Sequence, residues 1–273
     1  MDAAPPFASL TAAALAVLTA ADPAEKVRLT RMAAAEWAAG ALPIGAVPMV
    51  PERPARPERP DLLPPNKMPH RRLTRGVRGR VTLLHALAHI ELNAIDLAWD
   101  ILARFAPDFP PGFAADWLRV AAEEAEHFAL LAGRLAALGA AYGDLPAHDG
   151  LWQAAQETAG DALARLAVVP MVLEARGLDV TPVMIAKLRE VEDEASAAAL
   201  EVIYRDEIGH VTIGNRWFLW LAAQRGVGEP RAAWQALVRQ HFRGPLKPPF
   251  NDDARASAGF TGDWYEPLAA HAA

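Results

Sequence analysis

The sequence predicts an all-α protein: a four-helix bundle with additional N-terminal helices, an extended Pro/Arg-rich arm and a C-terminal tail. Three observations carry this reading. Alanine and leucine abound while β-branched residues rarely alternate with polar ones, which favours helices over strands. Long stretches repeat apolar residues at helical spacing, so each has one face to bury. Each of four such faces is interrupted by a glutamate, and two of those glutamates are followed three residues later by a histidine. With 273 residues, 52% of them hydrophobic, the chain can bury a substantial core. It reads as one domain over 1–273, with helices and arm in 1–79, the bundle in 80–226, and a helix and tail in 227–273.

Composition narrows the chemistry. There is no cysteine, which rules out disulfides, zinc–thiolate sites, iron–sulfur clusters and thiol catalysis. Any metal must be held by oxygen and nitrogen. The net charge of -6 argues against a generic nucleic-acid binder. Residues 8–21 are apolar but lack a basic flank, so they read as an ordinary helix and not a signal peptide. No uncharged run approaches membrane-spanning length, and the expected compartment is the cytoplasm.

In chain order, residues 8–39 should form two helices, split at Asp22-Pro23 and stopped by Gly40. Residues 43–69 hold too many prolines for regular helix. The arm and its continuation, from Arg53 to Arg80, are rich in basic residues, which suit either an anionic partner or carboxylates elsewhere on an acidic protein. Leu62, Leu63, Met68 and Leu73 lead us to expect that the arm packs against the bundle.

A long helix is expected from about residue 80 to 105, turned by Pro107 to Gly112, and a second from about 114 to 138, ended by Gly139. The third should run from about 151 to 176, kinked at Pro170 and stopped by Gly177. A short helix should then start at Pro182, with Thr181 as its cap. The fourth runs to about Gly226, a further helix spans 230–242, and the tail is irregular.

The first helix carries Glu91 in its apolar stripe, the second Glu124 and His127, the third Glu174, and the fourth Glu207 and His210. A glutamate and a histidine three apart project from one helix face. Burying them without a partner is costly, and a metal is the cheapest partner. One glutamate from each of two helices and Glu-x-x-His from two others is the ligand inventory of a carboxylate-bridged two-metal site in a four-helix bundle. With 17 glutamates and 8 histidines, about 0.5 Glu-x-x-His pairs would arise by chance, so two in apolar stripes carry weight together. Glu124 follows Glu91 at the same interval, 33 residues, as Glu207 follows Glu174. No lysine or arginine lies in these stripes near the glutamates to make them a salt-bridge network. His85 and His89 point away from the face of Glu91 by helical phase and read as packed or surface residues. Glu123 and Asp206 are candidates to orient a ligand imidazole, and Tyr204, one turn before Glu207, either flanks the metals or packs in the core.

The run from His85 to Asp100, the run from Val169 to Pro182, and Tyr204-Arg-Asp-Glu-Ile-Gly-His-Val211 resemble the bacterial DUF455 family of the ferritin-like superfamily. The likeness extends over the arm and the tail from Pro249 to Phe260. It implies a ferritin-like bundle with the six ligand positions filled, and no particular substrate. The expected function is an oxidoreductase that activates O2 or peroxide at two transition-metal ions, iron first, with mixed iron–manganese or manganese as alternatives. It would oxidise an organic small molecule, with an electron donor as partner. A tRNA-like substrate stays open, and no membrane is involved. The rival readings are metal handling (ferroxidase, storage or manganese-type peroxide removal) and a helical scaffold with a structural metal.

Overall fold

The computed structural model describes residues 7–64, 67–68 and 76–270. Among these there is no β-strand, and helices dominate. The chain divides into two compact units, residues 1–152 and 153–273.

In the first unit, α1 (Leu10–Thr19) starts at Ser9, whose hydroxyl accepts from the Ala12 amide at 3.1 Å. Helix α2 (Pro23–Ala38) is capped by Asp22, with Pro23 where its missing N–H costs nothing. Helices α3 (Val77–Phe105) and α4 (Pro111–Ala137) pack on each other as a hairpin. Gly139, at φ 75°, closes α4 in the left-handed conformation that glycine adopts without steric cost. Helix α1 also packs on α3, and Trp99 of α3 donates to Thr30 of α2 at 2.8 Å. With neighbours on several sides, α3 is buried almost continuously from Leu84 to Ala103. It is long and apolar enough to cross a membrane, but 72% of that window is buried, as in a core helix.

The arm packs on the first unit, with Leu63 and Met68 half-buried but Leu62 not carrying the contact. Leu62 is 41% exposed, and Leu73 lies outside the described residues. Instead Pro54 and Pro60 are buried, Leu62 bridges to Ala147 through backbone, and the Ala55 amide donates to Leu18 O at 2.8 Å. Arg56 reaches Asp96 of α3 at 2.9 Å, and Arg53 pairs with Asp149. Of the arm's cations, these two meet carboxylates of the chain itself, while Arg71, Arg72 and Arg75 lie outside the described residues.

Helix α5 (Gly150–Glu157) straddles the division between the units. The third long helix expected from the sequence is interrupted. After α5 the chain turns at residues 158–161 and restarts as α6 (Ala162–Val168), capped by Asp161. It widens into a π-helical segment, Val169–Glu174, and continues as α7 (Ala175–Glu190). Pro170 lacks the N–H that an α-helical turn would use, which accounts for the change of winding. Neither Gly177 nor Pro182 stops the helix, contrary to expectation: both lie inside α7. The carbonyl that Pro182 leaves without its helical donor is that of Leu178, and Asn251 Nδ2 supplies the replacement at 3.1 Å.

Helix α8 (Glu194–Gln224) packs along α6, the π segment and α7. Gly214 permits this contact, because a Cβ there would stand 2.3 Å from Pro170 Cβ. Helix α9 (Pro230–His241) follows, held to α6 by a bond from Trp234 Nε1 to Ala167 O. The tail is more regular than expected, forming α10 (Asp252–Ser257) and α11 (Gly262–Tyr265) around a cluster of Trp234, Phe260, Trp264 and Tyr265.

Candidate metal centre

The hairpin of α3 and α4 brings Glu124 back to the level of Glu91. Both carboxylates and His127 are buried, and one ligand atom from each lies within 4.8 Å of the others. His127 Nδ1 stands 3.4 Å from Glu124 and 3.5 Å from Glu91. In the second unit Glu174 ends the π segment while Glu207 and His210 come from α8, and these three also bring ligand atoms within 4.8 Å of one another. His210 Nδ1 lies 3.7 Å from Glu207 Oε2. Each unit thus assembles one glutamate with one Glu-x-x-His pair, and each of these groups could hold a metal ion.

The electrostatics of the first triad are those of a site short of positive charge. Burial, and then the charge of Glu124, push the Glu91 carboxyl well above the usual range. Burial alone would lower His127, but its contacts with Glu124 and Glu91 outweigh that and raise it to about 11. Beside a single imidazolium, Glu91 and Glu124 are not both readily ionised until a further positive charge arrives. Glu91 Oε2 is buried without a hydrogen bond among the described residues, an oxygen that a cation would satisfy.

Buried cations do exist, but they have partners of their own: Arg165, fully buried, donates to Thr158 at 2.8 Å and to Ala155 O at 2.6 Å. Lys26, fully buried, donates to Asp96 at 2.6 Å and to Val17 O at 2.8 Å. Arg56 completes the Asp96 group and also donates to Asn93 at 2.6 Å. In the second unit Arg255 makes two 2.8 Å bonds to Asp179. The donor set of each triad therefore fits a divalent metal better than a protein cation.

His85 and His89 of α3 have structural partners. His89 Nδ1 meets Tyr142 Oη and its Nε2 meets His148 O, both at 2.8 Å, and burial lowers its pKa to about 4. His85 Nε2 accepts from the Gly143 amide at 2.9 Å. Of the two readings the sequence left open, packed or surface, both residues are packed. A cavity of about 280 Å³ opens beside His89 and Tyr142 under the arm, on the side of α3 away from Glu91 by helical phase. Glu123 is partly exposed with Arg119 3.9 Å away, and Asp206 is also partly exposed. Tyr204 packs against the tail, its hydroxyl accepting from Asn251 Nδ2 at 3.0 Å.

Residues 19–266 match the family described as protein of unknown function DUF455. The chain belongs to the DUF455 family. The match spans both triads, the arm and the tail through α11. A relative from Haemophilus influenzae, described as an uncharacterized protein, is 44% identical over 215 residues, covering 74% of this chain and 73% of its own. No solved structure matches. In this DUF455 chain the sequence pattern located the triads. The π segment, the buried aspartates and Asn251 escaped it, although Pro170 and Pro182 signal where backbone donors go missing.

Proposed function

We propose that the two triads together hold two metal ions in a ferritin-like bundle, and that the chain is an oxidoreductase acting on an organic small molecule. Carrying the proposal is the repeated donor set: a lone glutamate with Glu-x-x-His in each unit, among apolar helices whose buried cations Lys26, Arg165 and Arg255 are engaged with other partners. When bound, two transition-metal ions, iron before manganese, would supply the redox chemistry that activates O2 or peroxide, with electrons from a separate donor.

The chain's own residues have defined tasks. Glu91, Glu124, Glu174 and Glu207 provide four negative charges, which match two divalent cations. His127 and His210 each provide one nitrogen, and His127 must give up its proton to do so. The surrounding apolar side chains keep bulk water from Glu91 and Glu124, and six protein ligands leave positions open on two six-coordinate ions. The arm and tail favour an enzyme over a storage shell, which has no use for them.

The test uses the full-length protein, reconstituted with iron under anaerobic conditions. Two ions per chain are expected, and the reduced protein should consume O2 or peroxide in excess of turnover by free iron. Glu124→Ala and Glu207→Ala should each lose most of the metal while circular dichroism stays helical. One ion or fewer per chain in a folded protein would sink the two-metal reading. Two ions that are inert to both oxidants would leave a structural metal as the better account.

A further inference from the structure

The tail from Lys247 to Phe260 grips the second unit at the residues flanking its triad. Asn251 uses its whole side-chain amide. Its Oδ1 accepts from the Ala254 amide at 3.3 Å, capping α10, and its Nδ2 donates to Leu178 O at 3.1 Å and to Tyr204 Oη at 3.0 Å. Two of these partners are backbone groups of fixed polarity, so the amide has only one satisfactory orientation. The Asn251 amide N–H adds a 2.9 Å bond to Asp179.

Arg255, 3% exposed, makes its paired bonds to Asp179 and a further one to Ala175 O at 3.3 Å. Its guanidinium lies over Tyr265, Phe250 and Phe260 at 4.4, 5.0 and 5.5 Å from the ring centroids. Arg176 closes the contact from the other side, donating to Lys247 O at 2.6 Å.

The gripped positions are not scattered. Ala175 directly follows Glu174, Leu178 lies one turn beyond it, and Tyr204 lies one turn before Glu207. Asn251 therefore ties together the two helices that deliver the two glutamates of the second triad. It does so through the one carbonyl that Pro182 strips of its helical donor. The geometry points to Asn251 and Arg255 as positioning residues that set the separation of Glu174 and Glu207 for metal binding. This rests on the reading of those glutamates as metal ligands. Asparagine is required here because aspartate would keep the α10 cap but could donate to neither Leu178 nor Tyr204.

The test is a Co(II) titration of the full-length metal-free protein, following the visible bands of bound cobalt, with circular dichroism and thermal melting of the metal-free form alongside. In Asn251→Asp at least one of the two cobalt ions should bind roughly 10- to 100-fold more weakly, the usual effect of losing a supporting residue, with its bands altered. Tyr204→Phe, which keeps the Leu178 bond and the fold, should weaken the same ion less. A merely stabilising tail would lower the melting temperature and leave both affinities and spectra unchanged, and that result would overturn the proposal. If Asn251→Asp does not fold, unchanged cobalt binding in Tyr204→Phe overturns it equally. Cobalt binding that fails in the unaltered protein would instead bring down the metal reading itself.

Discussion

Pro170 occupies the space that a side chain on residue 214 would need: a Cβ there would lie 2.3 Å from Pro170 Cβ and 2.5 Å from its Cγ. The pair sets how closely α8 approaches the π segment that ends in Glu174. Gly214→Ala is therefore expected to push the two apart, costing about 1–3 kcal/mol of stability as an overpacked core contact does. Denaturant unfolding would show this. Since His210 lies one turn before Gly214, metal uptake should fall as well. An unchanged unfolding midpoint would count against the close packing.

Glu91 and Glu124 burden the metal-free protein, since the charge of Glu124 adds to the burial that already makes Glu91 hard to ionise. Glu124→Gln should therefore raise the melting temperature of the metal-free form while abolishing most metal binding. The gain should be on the order of 1 kcal/mol, the size of a modest relief of buried charge. A melting temperature that falls would indicate that Glu124 is held by partners that a glutamine cannot satisfy.

Asp96 holds Lys26 and Arg56 at once, and all three meet in the interior of the first unit. Asp96→Asn leaves both cations without their counter-charge, which should cost about 3–5 kcal/mol. It should also loosen the arm. The Ala55 amide, bonded to Leu18 O, should exchange its hydrogen slowly in the unaltered protein and fast in the variant. Equal exchange at Ala55 in both would mean that the arm is not anchored by this group.

His89 makes the first unit acid-sensitive. Burial lowers its pKa from 6.5 to about 4, against the opposing effect of the bond to His148 O. The neutral form is favoured in the folded state, so its contribution to stability is present above about pH 6.5. It is lost as pH falls toward 4, amounting to about 3 kcal/mol in all. Urea midpoints measured across that window should fall more steeply for the unaltered protein than for His89→Gln. Parallel slopes would remove His89 as the cause.

What could be read from the sequence was local. Pro107 to Gly112 and Gly139 mark the ends of α3 and α4 by their own backbone preferences. The six triad residues stand out because each interrupts an apolar helical face. The failures came where a distant segment overrides a local signal. Gly177 and Pro182 are helix breakers, yet α7 runs through both because a donor arrives from residue 251. Lys26 and Asp96, 70 residues apart, look like solvated charges in isolation and become a buried pair only in the fold. Helical phase also loses its meaning on α3. With neighbours on several sides, its polar residues Asp96 and His89 are buried as deeply as its leucines.

The help that Pro182 receives from Asn251 also imposes an order in time. The first triad is complete once residue 127 has been made, and the helices that carry it are neighbours in the chain. The second waits for a segment 73 residues beyond Leu178, because α7 lacks one of its backbone donors until that segment folds back over it. A growing chain on the ribosome can therefore finish the first ligand group while the second is still loose. The second group is set only when the residues around Asn251 arrive.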